Sequence, residues 1–124
     1  MATEPRTVLS SVIPEGATSL ITGSLVDEAG AALGSGQLQA FTMTLYALVS
    51  GLPIINGRND ADILSTIDAG GLWTITLTPA DNAMVGSDAG LEQHRILLEW
   101  TYGAGAKAGK HEIDFPVRNL DKVP

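Results

Sequence analysis

The stretch "HRILLEWTYGAGAKAGKHEIDFPV", residues His94–Val117, decides the fold of this 124-residue chain. Two apolar-rich runs flank a spacer made almost wholly of Gly, Ala and Lys, which is the pattern of a β-hairpin. In each run, alternate positions share one face of a strand: His94, Ile96, Leu98, Trp100 and Tyr102 in the first, and His111, Ile113, Phe115 and Val117 in the second. We expect that face to be buried.

Both histidines of the chain, His94 and His111, fall on this core-facing side, so a shared metal site has to be considered. With a turn centred near Ala106, His111 lies opposite Trp100 or Tyr102, and His94 lies about 20 Å away at about 3.3 Å per residue. Zinc holds imidazole nitrogens at about 2 Å. We therefore predict two separate histidines at strand ends; a pH-sensing role at an interface is the alternative.

Other runs have the same period of two. In "FTMTLYAL" (Phe41–Leu48) and "LWTITLT" (Leu72–Thr78), threonine or tyrosine opposes apolar residues, as a half-buried strand requires. Further strand candidates are "TVLSSVI" (Thr7–Ile13), "TSLITGSLVD" (Thr18–Asp27) and a short "ADIL" or "PII" segment. Segments rich in Gly, Asn and Asp separate them. The pattern predicts an all-β fold, an antiparallel immunoglobulin-like β-sandwich of roughly seven strands.

One short helical turn is expected near residues 79–84, within "TPADNAMVG". Thr78 can cap it, Pro79 suits the first helical position, and Asp81 complements the positive end of the helix dipole. Such a turn would cross between the two sheets.

Composition narrows the function classes. The net charge is −7 and cysteine is absent, which disfavours nucleic acid as a partner and excludes disulfides and thiolate metal sites. No apolar run approaches the roughly 18 residues that span a bilayer, and the first residues lack the features of a signal peptide. Residues 1–94 carry two basic and ten acidic side chains, whereas residues 95–124 carry five basic and four acidic. The C-terminal part could therefore dock on an acidic neighbour, including another copy; a solvated acidic surface is the simpler interpretation.

No catalytic or cofactor motif is recognisable, and we predict that the chain is not an enzyme. The segment "NGRNDADIL" places Asn56, Asp60 and Asp62 close together as a loose calcium loop would, but it lacks the EF-hand order of ligands. A polar turn with Gly57 at positive φ is the favoured interpretation. No cofactor-binding or metal residues are assigned.

The chain ends suggest contacts with other molecules. Pro116 interrupts the second hairpin strand and predicts that this strand lies at a sheet edge, because proline cannot donate to a ladder. We divide the chain into an N-terminal arm with the first strand (residues 1–16), the β-sandwich (17–118) and a C-terminal tail (119–124). Both ends are expected either to fray or to order against a neighbour.

Three segments together resemble a family of small structural proteins of tailed-bacteriophage virions: "INGRNDADIL", "GGLWTITLTPADNAMVG" and "EQHRILLEWTYGAGAKAGKHEIDFPVRNL". The resemblance covers about two-thirds of the chain, from Leu45 onward. It implies an Ig-like module used as a capsid decoration or cement protein, or as an accessory on the neck or tail. It carries over no catalytic residues and no cofactor.

We therefore expect a non-enzymatic virion component, made in the host cytoplasm, that binds the assembled shell in many copies. Its partners would be the major capsid protein, other virion proteins or copies of itself, not nucleic acid or a membrane. The candidate contact residues are Pro5, Arg6, Val8, Arg118, Asn119 and Leu120. The rival hypothesis is a carbohydrate- or receptor-binding module, which needs exposed aromatic rings. Only Tyr46 is clearly out of phase with the core faces, so this hypothesis ranks second.

Overall fold

The computed structural model describes residues 6–8, 13–49, 51–85 and 90–118. These residues form an all-β fold, as predicted, with one 3₁₀ turn at Leu64–Thr66 as the helical element of the described part. The strands are β1 (Arg6–Val8), β2 (Ile13–Pro14), β3 (Ser19–Ser24), β4 (Leu38–Ala47), β5 (Ala61–Asp62), β6 (Leu72–Leu77), β7 (Leu91–Tyr102) and β8 (Lys107–Arg118).

The two hairpin strands lie in the middle of the larger sheet, whose order is β1-β8-β7-β4-β5, with β2 also on β8. Strands β4, β7 and β8 pair antiparallel over most of their length. Strands β3 and β6 form a second, two-stranded antiparallel sheet. Period-two patterning thus correctly predicted the long strands.

The hairpin closes earlier than predicted. Tyr102 pairs with Lys107, so the turn comprises residues 103–106 and is not centred on Ala106. Gly103, Ala104 and Gly105 all have positive φ, which lets four residues reverse the chain. The predicted register for His111 was therefore wrong, and this residue lies opposite Leu98.

A single core joins the two sheets. Each long strand contributes the alternate residues that the sequence placed on one face, and Phe41, Leu77, Ile96 and Phe115 are fully buried. Trp73 of the small sheet contacts Phe41 of the large sheet edge to face, with ring centroids 6.5 Å apart. The two sheets therefore bury their apolar faces against each other.

The N-terminal segment makes the larger sheet mixed, where an entirely antiparallel arrangement was expected. β1 and β2 both pair parallel to β8, Arg6 with Glu112 and Ile13 with Val117. β8 consequently has neighbours on both sides, and the prediction that Pro116 marks an edge strand was wrong. Pro116 is accommodated because it falls between the two short pairings, where neither β1 nor β2 needs a donor from it.

Near residues 79–84, where a helical turn was predicted, the structure has a hydrogen-bonded turn at residues 79–82 and no helix; the helical element of the described residues lies at Leu64–Thr66. The amide of Asn82 donates to the carbonyl of Thr78 at 3.2 Å, and no helix continues beyond it in the described residues. Asn82 is buried and its side-chain amide donates to the carbonyl of Ala17 at 2.6 Å. The turn therefore ties the corner after β6 to the loop before β3.

Candidate functional site

An open cleft of about 570 Å³ lies between β3 and the turn end of the β7–β8 hairpin. Trp73, Leu98 and Ile113 contribute buried apolar surface to it. Trp100 and Tyr102 are only half-buried and also line it. A concave site of this size with an apolar floor is typical of ligand-binding clefts.

Two glycines position the two tryptophans of the chain. Gly23 is paired across the ladder with Trp73, and Gly109 with Trp100. A Cβ added to either glycine would overlap the opposite indole ring, Trp73 for Gly23 and Trp100 for Gly109. Each indole therefore lies directly against the backbone of its partner strand, because only glycine leaves room for it.

A polar clamp fixes the mouth of the cleft. The Glu28 carboxylate accepts hydrogen bonds from the Tyr102 hydroxyl at 2.7 Å and from Lys107 Nζ at 2.6 Å. The two hydrogen bonds lower the pKa of Glu28 to about 2, and the bond from Lys107 has the larger effect. The loop after β3 thus contacts the hairpin through exposed side chains, beside the Tyr102 ring.

The two histidines occupy different environments. His111 is half-buried in the wall of the cleft, where burial lowers its pKa. His94 is fully buried four register positions away, opposite Phe115. At about 3.3 Å per residue the separation along the strand is about 13 Å, shorter than predicted but still too long for one ion to bridge. The described residues contain no cluster of three or more potential metal ligands.

His94 forms a buried pair with an acid that the sequence did not single out. Its Nε2 lies 2.6 Å from Glu92 Oε1, which also accepts a hydrogen bond from the Val85 amide at 2.8 Å. Burial lowers the pKa of His94, against the opposing effect of Glu92. His94 Nδ1 has no hydrogen-bond partner within the described chain. Burial beside the core therefore favours the neutral form of the imidazole.

An ion pair holds the start of the segment "NGRNDADIL", for which a loose calcium loop was the alternative to a polar turn. The fully buried Asp81 carboxylate accepts two hydrogen bonds from Arg58, at 2.9 and 3.0 Å, and one from Asn56 Nδ2 at 2.9 Å. It also accepts from the backbone and hydroxyl of Thr78. Burial alone would raise the pKa of Asp81, but these bonds, led by Arg58, lower it to about 2. The side chain of Asn56 is therefore part of this hydrogen-bond network. Gly57 has a positive φ, which fits the interpretation of the segment as a polar turn.

The basic residues of the C-terminal part mostly pair within the chain. Arg95 contacts Asp114 at 2.6 Å and Glu112 at 2.7 Å, on the face of the sheet opposite His94. The hydrogen bond to Asp114 is the main interaction that raises the pKa of Arg95. Lys107 pairs with Glu28 at 2.6 Å and Lys110 lies 3.4 Å from Glu99, so at least three of the four basic residues described in this part have an acidic partner within the chain.

The candidate contact residues are only partly described. The backbones of Arg6 and Val8 pair with Glu112 and Asp114 in β1–β8, and Arg118, at the end of β8, has an exposed side chain. Pro5, Asn119 and Leu120 lie outside the described residues, as do most of the predicted N-terminal arm and the whole C-terminal tail.

Sequence reasoning missed the cleft because phase alone cannot tell a closed core from an open one. Trp100 and Tyr102 are in phase with the core, as predicted, but they lie near the hairpin turn, where the opposite sheet is only two strands wide. Tyr46, the expected exposed ring, is instead half-buried. No sequence signal marked the cleft, because the predicted register did not place Gly109 opposite Trp100 as the structure does.

No protein-family model, no curated protein and no solved structure matches this chain. No helix in the described ranges has the length and apolar character needed to cross a bilayer.

Proposed function

We propose that the chain is a non-enzymatic structural protein of a tailed-bacteriophage virion, an Ig-like β-sandwich that decorates the assembled shell in many copies. The observation that carries this proposal is the edge made by β1 and β2. These strands comprise three and two residues, and they form the outer boundary of the larger sheet beside β8. A neighbouring protein could add a strand along the outward backbone groups of β1 and β2.

The same edge brings the two candidate contact regions together. Arg6 pairs with Glu112 and Arg118 pairs with Pro14, so both regions lie along β8 within about 20 Å at 3.3 Å per residue. A subunit that bridges neighbouring capsomers along such an edge stabilises the assembled state by its binding free energy. Repetition on a symmetric shell multiplies a modest interface. A neck or tail accessory would use the same edge on a different part of the particle.

Co-sedimentation with purified shells of the encoding phage tests this proposal. The wild-type chain should pellet with shells and be released by chaotrope. Arg6→Glu and Arg118→Glu should weaken binding, whereas Lys110→Glu, a matched charge reversal near the cleft, should not. A chain that stays in the supernatant at every concentration contradicts the proposal.

A carbohydrate- or receptor-binding module is the second candidate, and the cleft favours it. Trp100 and Tyr102 present half-buried rings on which a sugar could stack, and Lys110 adds a polar group to the wall. Binding to a glycan array, with quenching of tryptophan fluorescence, would support this candidate. Loss of that binding in Trp100→Ala and its retention in Arg6→Glu would separate it from shell docking.

A further inference from the structure

Strand β3 has an open side. The amide of Leu25 donates to the carbonyl of Gly71 at 2.9 Å, in continuation of the β3–β6 register. Backbone groups of successive residues in a strand point to opposite sides, so Leu20, Thr22 and Ser24 direct theirs away from β6. Within the described residues no strand pairs with that side of β3.

Within the described residues, the outer sides of β4 and β8 are covered, and on β6 the amide of Asp68 donates to the carbonyl of Leu72 at 2.9 Å. On the outer side of β4, beyond β5, the amides of Leu45 and Ala47 donate to the carbonyls of Arg58 and Pro53, at 2.8 and 3.1 Å. The outer side of β8 takes β1 and β2. β3 carries no charge, no proline and no register shift, which are the usual devices that keep an edge from pairing.

The outer face of this small sheet is uncharged and exposed. Its six residues are Leu20, Thr22, Ser24, Leu72, Thr74 and Thr76. The two leucines are 66% and 60% exposed. Charged residues are depleted at the centre of protein interfaces. Copies that each carry a net charge of −7 repel one another, so a charge-free edge is where they can approach.

We propose that β3 pairs antiparallel with β3 of a second copy about a two-fold axis at Thr22. Thr22 then lies opposite Thr22 of the second copy, and Leu20 lies opposite Ser24. Because all three residues direct their backbone groups outward, each opposed pair exchanges two N–H···O=C bonds. The spacing of the three residues is symmetric about Thr22, so the edge is self-complementary, as an isologous interface requires.

The occupant is a second copy because the edge is self-complementary about Thr22. Pairing also widens the two-stranded layer to a continuous four-stranded sheet. This edge is separate from the β1–β8 edge of the proposed function, and shell binding neither requires nor excludes it.

Sedimentation equilibrium of the purified chain over a range of concentrations tests the proposal. The wild type should form a reversible dimer. Thr22→Glu places two carboxylates opposite each other and should abolish the dimer. Thr74→Glu is the matched control: Thr74 is exposed on the same face and is the register partner of Thr22, but it lies on β6, so the dimer should survive.

An equimolar mixture of Thr22→Lys and Thr22→Glu chains should dimerise again, because the two-fold axis places opposite charges together. A wild type that stays monomeric at every concentration overturns the proposal. So does a dimer that resists Thr22→Glu, or one that Thr74→Glu abolishes equally, since the contact would then not be the β3 edge. Circular dichroism of each variant shows that the fold is retained.

Discussion

Arg58 and Asp81, 23 residues apart in sequence, meet in a two-bonded ion pair that fastens the 55–60 segment to the corner after β6. The carboxylate is fully buried, whereas the guanidinium side chain is 28% exposed. Removing one partner of a buried pair leaves the other uncompensated. Asp81→Asn should therefore lower the free energy of unfolding by about 3 kcal/mol in urea titrations.

The control for this variant is Glu99→Gln. Glu99 lies 3.4 Å from Lys110 in a surface pair, and such pairs contribute about 0–1 kcal/mol. Equal losses in the two variants would contradict a special role for Asp81.

The same carboxylate predicts acid sensitivity. The pKa of this carboxyl falls from 3.8 in the unfolded chain to about 2 on folding, so its contribution to the free energy of unfolding is present above pH 4 and is lost as the pH falls towards 2. The shift corresponds to about 2 kcal/mol. Unfolding titrations from pH 5 to pH 2 should show this loss in the wild type and not in Asp81→Asn, and parallel curves would refute it.

The burial of His94 predicts a second loss of folding stability, at a milder pH. Burial lowers its pKa below 6.5, so the unfolded chain binds the proton more readily and stability falls as the pH drops below about 6.5. In His94→Gln, which can still donate to Glu92, the free energy of unfolding should change less between pH 7 and pH 5. His111→Gln is the control, since His111 is only half-buried, and an equal flattening there would argue against His94 as the main source.

The tryptophan–glycine pairs predict a packing defect. Gly109→Ala forces a methyl group into the Trp100 ring and should cost about 1–3 kcal/mol and shift the tryptophan emission. Gly36→Ala meets nothing within 4 Å and should leave both measurements nearly unchanged. A silent Gly109→Ala variant would show that Trp100 does not rest on that backbone.

The sequence was sufficient for elements whose period is regular. Leu72–Thr78 alternates strictly, and its in-phase residues are buried as predicted; in the two runs of His94–Val117 most in-phase residues are buried, but Trp100, Tyr102 and His111 are only half-buried. It was insufficient for register, because the turn at residues 103–106 depends on three positive-φ positions in a run of Gly and Ala where several turns are possible. The parallel pairing of β1 with β8 could not be predicted from the sequence either, because the relative direction of two strands is set by contacts between residues far apart in sequence.

The candidate site was predictable only in part. Asp81 was expected at the start of a turn, but its partner Arg58 could be found only once the 55–60 segment was folded against it. Glu92, in phase with His94, belonged to the same pattern, although a carboxylate is not expected in a core. The cleft depends on how far the smaller sheet extends, which no local pattern records.

The proposed virion role is tested most directly by quantitative mass spectrometry of purified particles of a tailed phage whose genome encodes this chain. The account predicts that this chain is present in a number comparable to that of the major capsid protein and is released by chaotrope while the shell stays intact. Its absence from washed particles, with the chain found only in the lysate, would contradict a structural role on the virion.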